Sequence, residues 1–163
     1  MKKLLQNITV LNPSSEFNNQ KVDVLIEDGK ILQINNTIED TSAEIIDFSG
    51  NYMTTGFCDL YVNINDPGFE YREDIESIAN AAIAGGFTTI CAVADNHPIT
   101  QTKAQVEYII NKSKHTLVNI LPIGAVTENF DGKTPTEMYD MHHAGAVAFS
   151  DVPHSIKDSG VLL

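Results

Sequence analysis

The stretch Gly56-Phe57-Cys58-Asp59-Leu60-Tyr61-Val62-Asn63-Ile64-Asn65-Asp66-Pro67-Gly68 decides the fold. Strand side chains alternate between faces, so Cys58, Leu60, Val62 and Ile64 share one face. All four are apolar, which suits packing beneath helices. Phe57, Asp59, Tyr61 and Asn63 share the other face, which turns polar toward the strand's C-terminal end. In barrels of parallel strands the chemistry sits at that end. Asn65 to Gly68 reads as the loop that follows.

Working toward the C-terminus, strand and helix patterns alternate. Arg72 to Ala84 is predicted helical and stops at Gly85-Gly86. Thr88 to Ala94 reads as a strand and Gln101 to Lys114 as a helix. Val118 to Val126 is a strand interrupted by Pro122. Thr134 is read as a helix cap, with Pro135 at the first helical position and Glu137 three after the cap. That helix runs to Ala144 and ends at Gly145; Ala146 to Ser150 is a fourth strand. Such repetition specifies a parallel sheet, doubly wound or half of an eight-stranded barrel. A complete barrel needs about 250 residues, so the 163 residues cannot close one alone.

Toward the N-terminus the texture changes to short strands. Leu4 to Leu11 ends at Asn12-Pro13, and Val22, Val24 and Ile26 alternate onto one face. Asp28-Gly29 reads as a tight hairpin turn because both residues tolerate positive φ. Lys30 to Ile34 returns as the partner, and Glu44 to Phe48 is a further strand. The expectation is a small antiparallel sheet over residues 1–52, followed by four β/α units over 53–163.

There are 22 acidic against 10 basic residues, a net charge of -12. Such a surface repels phosphate backbones and anionic lipid, which argues against nucleic acid and membrane partners. No run approaches the ~20 apolar residues needed to span a bilayer. Cys58 and Cys91 lie in apolar runs and are expected to be buried reduced thiols, so the cytoplasm is the expected compartment. Motifs for dinucleotide binding, phosphate cradling and a serine nucleophile elbow are missing from the sequence.

The quoted stretch resembles the first barrel strand of dihydroorotases, whose pattern is Pro-Gly-hydrophobic-x-Asp-x-His-x-His-x-Arg followed by Pro-Gly. The resemblance continues through Glu73-Asp74, Ala84-Gly85-Gly86-Phe87-Thr88-Thr89, Pro98, Pro122-Ile123-Gly124-Ala125, the segment Ala144 to Asp151, and Asp158-Ser159-Gly160. It covers nearly the whole chain in order. It implies an α/β fold: the N-terminal half of a (β/α)8 TIM-type amidohydrolase barrel, preceded by a small antiparallel β accessory domain.

The departures are concentrated in the motif. Tyr61 and Asn63 stand where the family's two zinc-binding histidines would be. Neutral imidazole is a good zinc ligand, whereas a phenol with a reference pKa of about 10 stays protonated at neutral pH. Without zinc, water keeps its solution pKa and no hydroxide nucleophile forms. Asn65 replaces the arginine that grips the substrate carboxylate, and one amide cannot reproduce a guanidinium fork. Asp95 replaces the substrate-contacting asparagine and would repel an anionic substrate. Asp151 matches the family's acidic metal ligand after the fourth strand, as a metal ligand, a relic or a structural group. No cofactor is expected in this chain, although zinc serves the family.

Three functions follow from the resemblance. One is a non-catalytic dihydroorotase homologue of pyrimidine biosynthesis that serves as scaffold or partner of aspartate transcarbamoylase. A second is an active cyclic-amide hydrolase interconverting carbamoyl aspartate and dihydroorotate. The third is a module binding another small ligand at the barrel mouth, lined by Tyr61 and Asn63. His97 sits in a loop where substrate would lie; His142 and His143 are expected at the surface or helix end. Strand edges at 57–64 and 146–151 invite pairing, so the chain is expected to be a homo-oligomer or to lack a C-terminal half.

Overall fold

In the computed structural model, which describes residues 1–161, the chain divides into two compact units at Thr55/Gly56. Leu162 and Leu163, the end of the second predicted region, lie outside the described residues.

The first unit is a five-stranded sheet of β1 (Lys2–Leu11), β2 (Lys21–Glu27), β3 (Lys30–Asn35), β4 (Glu44–Asp47) and β5 (Tyr52–Thr54). Asp28 and Gly29 turn β2 into β3 with φ of 48° and 77°, the twist that a two-residue hairpin requires. Val22 and Val24 are buried with Ile8 and Val10, and Ile26 packs against them, as their alternation predicts. The sheet is mixed, which corrects the antiparallel expectation. β2 runs antiparallel to β1 and β3, but β4 and β5 both lie parallel to β1. The segment between β3 and β4 carries the chain across the sheet to the far side of β1, where it enters in the same direction. Asp23, buried in this unit, accepts the N–H groups of Asn7 and Ile38 at 3.0 Å.

The second unit is a parallel sheet of β6 (Phe57–Val62), β7 (Phe87–Ala92), β8 (Asn119–Gly124) and β9 (Ala148–Phe149), in that spatial order. The strands are joined by α1 (Ile75–Ala84), α2 (Lys103–Lys112) and α3 (Met138–Ala144). Ile75 and Ala79 of α1 and Ile109 of α2 meet Ile90, Ala92 and Ile120 of the sheet in one core. On the opposite face Cys91, Val93, Leu121 and Ile123 form a separate cluster. Sequential strand order with helices against one face is the layout of a barrel wall; a doubly wound sheet reverses its order.

Local signals place these helices. Asp74 caps α1: its side chain accepts the Ser77 N–H at 2.8 Å while the Ser77 hydroxyl accepts the Asp74 N–H at 3.0 Å. The helix therefore starts three residues later than the sequence reading and leaves Arg72 in the preceding loop. The Thr134-Pro135 cap is also corrected. Thr134 instead bonds to Asp131, Pro135 bridges to Thr127, and α3 begins at Met138. Gly145 ends α3 at φ 115°, the left-handed conformation expected of a terminating glycine.

Candidate functional site

The alternation read for β6 is broken by two irregularities. Asp59 pairs with Ile90 and Val62 with Ala92, so three steps on β6 oppose two on β7. The extra residue falls at Leu60-Tyr61 and makes a β-bulge. Asp59 therefore joins Val62 among Ile78, Ala82, Phe87 and Ile90, not the polar face with Tyr61 and Asn63. Its carboxylate accepts the Tyr61 N–H at 2.9 Å. Leu60 is 72% exposed and Cys58 is exposed, which overturns their expected burial beneath helices. Only Val62 and Ile64 of that set pack there. Cys91 is buried, and desolvation, with the neighbouring Cys58 thiol second, pushes its thiol pKa up.

Past the bulge, three of the five predicted site residues converge. Asn63, Asn65 and Asp95 line a cleft of about 390 Å³ together with Phe69 and Arg72. Arg72 was missed as a site residue because the sequence reading put it inside a helix; the Asp74-x-x-Ser77 box was the signal that it belongs to a loop.

The loop carrying Phe69 and Arg72 is held at several points. Asn65 adopts φ 56°, a left-handed conformation that asparagine tolerates, and its carbonyl accepts the Phe69 N–H at 2.8 Å. The Phe69 carbonyl then accepts the Arg72 N–H at 2.8 Å. Asp66 is fully buried, accepting from Tyr108 Oη at 2.8 Å, Lys112 Nζ at 2.7 Å and the Ile75 N–H at 3.2 Å. That carboxylate raises the Lys112 ammonium pKa well above its ordinary value. The loop also lies against the one after β7: the His97 N–H donates to the Pro67 carbonyl at 3.1 Å.

Tyr61 and Asp151 do not join the cleft. Tyr61 is 46% exposed. Asp151 is buried, and its two oxygens accept the Val126 N–H at 2.7 Å, the Thr127 N–H at 3.1 Å and the Thr127 hydroxyl at 2.5 Å. Its acceptor capacity is thus directed into the loop that follows β8. The zinc that the dihydroorotase resemblance implies does not fit these residues. A phenol, a carboxamide and a carboxylate engaged by three donors make a poor donor set beside the imidazoles and thiolates that zinc favours. Among the described residues no three His, Cys, Asp or Glu side chains come together to hold a metal. Nor is any helix among them long and apolar enough to cross a membrane.

His142 and His143 stand at the end of α3, where their Nδ1 atoms lie 3.3 Å from the Ala146 carbonyl and 2.9 Å from the Tyr139 carbonyl. His97 flanks the cleft loop, its ring 6.3 Å from that of Phe69.

A parallel β/α wall with a polar cleft past the C-terminal end of its first strand is the layout of one side of a TIM-type barrel. The L-hydantoinase (dihydropyrimidinase) of Arthrobacter aurescens superposes with a TM-score of 0.76 at 26% identity, over 99% of this chain and 37% of that one. A dihydroorotase crystal structure, at 17% identity and a TM-score of 0.59, shares the fold over 91% of this chain and 40% of its own. The family model described as dihydro-orotase-like matches residues 50–162, and the chain belongs to that family. The dihydroorotases of Syntrophotalea carbinolica and Aquifex aeolicus are each 39% identical to it over 99% of its residues. The chain spans 38% of the length of either relative.

Proposed function

We propose that the protein is a dihydroorotase-like member of pyrimidine metabolism that does not catalyse amide hydrolysis at this site and acts as a scaffold for aspartate transcarbamoylase. The observation that carries this reading is the state of Asp151. The one family ligand position that keeps an acidic residue is occupied with two backbone N–H groups and a hydroxyl. Tyr61 and Asn63 provide no imidazole to compensate. Around this site the chain has firm packing: the Asp66 anchor, the α1 cap and the crossing loops. Ordered architecture with a poor metal donor set suits a partner-binding role.

The edge strands β6 and β9 each pair on one side only within the described sheet. In the working assembly they are covered by further β/α units or by a second copy of the chain. Size-exclusion chromatography with light scattering tests this, and a stable, well-behaved monomer of the 163-residue chain contradicts it.

The decisive experiment measures metal content after purification in zinc, turnover of dihydroorotate and carbamoyl aspartate, and co-sedimentation with aspartate transcarbamoylase. The expected result is substoichiometric zinc, no turnover and co-migration. Stoichiometric zinc with turnover overturns the reading, and so does failure to co-migrate.

A further inference from the structure

The cleft lined by Asn63, Asn65, Phe69, Arg72 and Asp95 holds one cationic side chain, one anionic side chain and two carboxamides. Arg72 and Asp95 do not pair with each other. Among the described residues the ion pairs are Met1–Asp28, Lys2–Asp40, Lys103–Glu107 and Lys112–Asp66, and neither cleft residue takes part. The Arg72 guanidinium lies 5.1 Å from the Phe69 ring centroid and 5.4 Å from that of Tyr71. These contacts are of the cation–π kind, and none of the ion pairs among the described residues engages its N–H groups. Opposite charges that share a cleft without meeting make a site for something that bridges them.

We propose that this cleft binds a neutral α-amino acid as its zwitterion, with the carboxylate on Arg72 and the ammonium on Asp95. The proposal rests on the reading above, in which no metal occupies the barrel mouth. A guanidinium fork matches a carboxylate with two parallel N–H···O bonds. An ammonium provides three donors to the Asp95 carboxylate. Asn63 and Asn65 each supply a donor and an acceptor, which suits an uncharged polar side chain. The size of the cleft, about 390 Å³, lies at the small end of ligand pockets. Charge settles the class: the lining sums to zero, and a chain of net charge -12 sets a negative background that disfavours dianions. The backbones of the two loops are held before binding by the Asp66 anchor and by the backbone bond between His97 and Pro67, which leaves the side chains of the cleft as the groups to be ordered.

Isothermal titration calorimetry with L-asparagine as the probe tests this. Saturable binding is expected, weakened about tenfold or more in Arg72→Ala and in Asp95→Ala, as losing a charge-assisted bond implies. Arg72→Lys restores part of the loss, because an ammonium keeps the charge without the fork. N-acetyl-L-asparagine, which lacks the ammonium, weakens by a similar factor against the unaltered protein. The proposal is overturned if L-asparagine shows no saturable binding, if Arg72→Ala binds it equally well, or if succinate binds more tightly. Zinc content and turnover are measured on the same sample. Their appearance removes the metal-free reading, whereas the calorimetric result alone decides the ligand.

Discussion

Asp66, fully buried, lies 2.7 Å from the Lys112 ammonium, joining the loop after β6 to the last turn of α2. Tyr108 closes the group, its hydroxyl 2.8 Å from the same carboxylate and 2.9 Å from Lys112 Nζ. The two ends of the pair differ, because the Lys112 side chain is 43% exposed while that of Asp66 has no exposure.

That difference predicts an asymmetry. Lys112→Met strands a buried carboxylate with only Tyr108 and the Ile75 N–H and should cost about 3 kcal/mol, the low end for breaking a buried pair. Asp66→Asn leaves an ammonium that can turn into water and keeps one acceptor, so about 1–2 kcal/mol is expected. Urea denaturation of both variants measures the order. Equal losses, or a larger loss for Asp66→Asn, would refute the burial argument.

Asp151 gives a second prediction. Asp151→Asn replaces one carboxylate oxygen by an amide N–H₂ facing groups that are themselves donors. The loss of one or two charge-assisted bonds should cost about 2–3 kcal/mol. If Asp151 serves the loop, the same substitution leaves zinc affinity unchanged. A zinc affinity that falls in parallel with stability would return Asp151 to the metal.

Much of this was legible in the residues. Asp28-Gly29 announced its hairpin because both positions must take positive φ, and both do. The β/α order followed from glycine stops and hydrophobic spacing. The bulge at Leu60-Tyr61 was not legible, since the apolar alternation of Cys58, Leu60, Val62 and Ile64 reads as a regular strand. The extra residue is visible only in the register against β7. The parallel placement of β4 and β5 was hidden for a related reason: strand patterning records which face is apolar and says nothing of direction. Asn65 and Asp95 were found through the family motif, but Arg72 has no place in that motif and needed the observed start of α1.

The α1 cap predicts a pH response. Hydrogen bonding from the Ser77 N–H holds the Asp74 carboxyl below its ordinary value of 3.8. A carboxyl whose folded pKa is depressed stabilises the fold above the unfolded pKa, and that stabilisation disappears as pH falls through the folded value. Fraying of the first turn of α1 should therefore begin below about pH 4 and leave neutral samples unaffected. Amide exchange at Ser77 and Ile78 follows it, and Asp74→Asn should flatten the acid limb. An unchanged limb in that variant would assign the acid response to other carboxyls.

Gly68 provides the last prediction and bears directly on the cleft. Its φ is 108°, and a Cβ placed there would come 2.1 Å from the His97 carbonyl oxygen and 2.6 Å from His97 Cβ. Both the backbone conformation and the space exclude a side chain, because the loop bearing Phe69 and Arg72 presses against the loop bearing Asp95. Gly68→Ala must push the two loops apart or move Gly68 out of its conformation, at a cost of about 2 kcal/mol or more. Since Arg72 and Asp95 lie on opposite sides of that contact, the substitution should weaken the Arg72-dependent binding of L-asparagine while touching neither charged group. A variant that loses stability but keeps the unaltered affinity would show that the cleft does not depend on the crossing of the two loops.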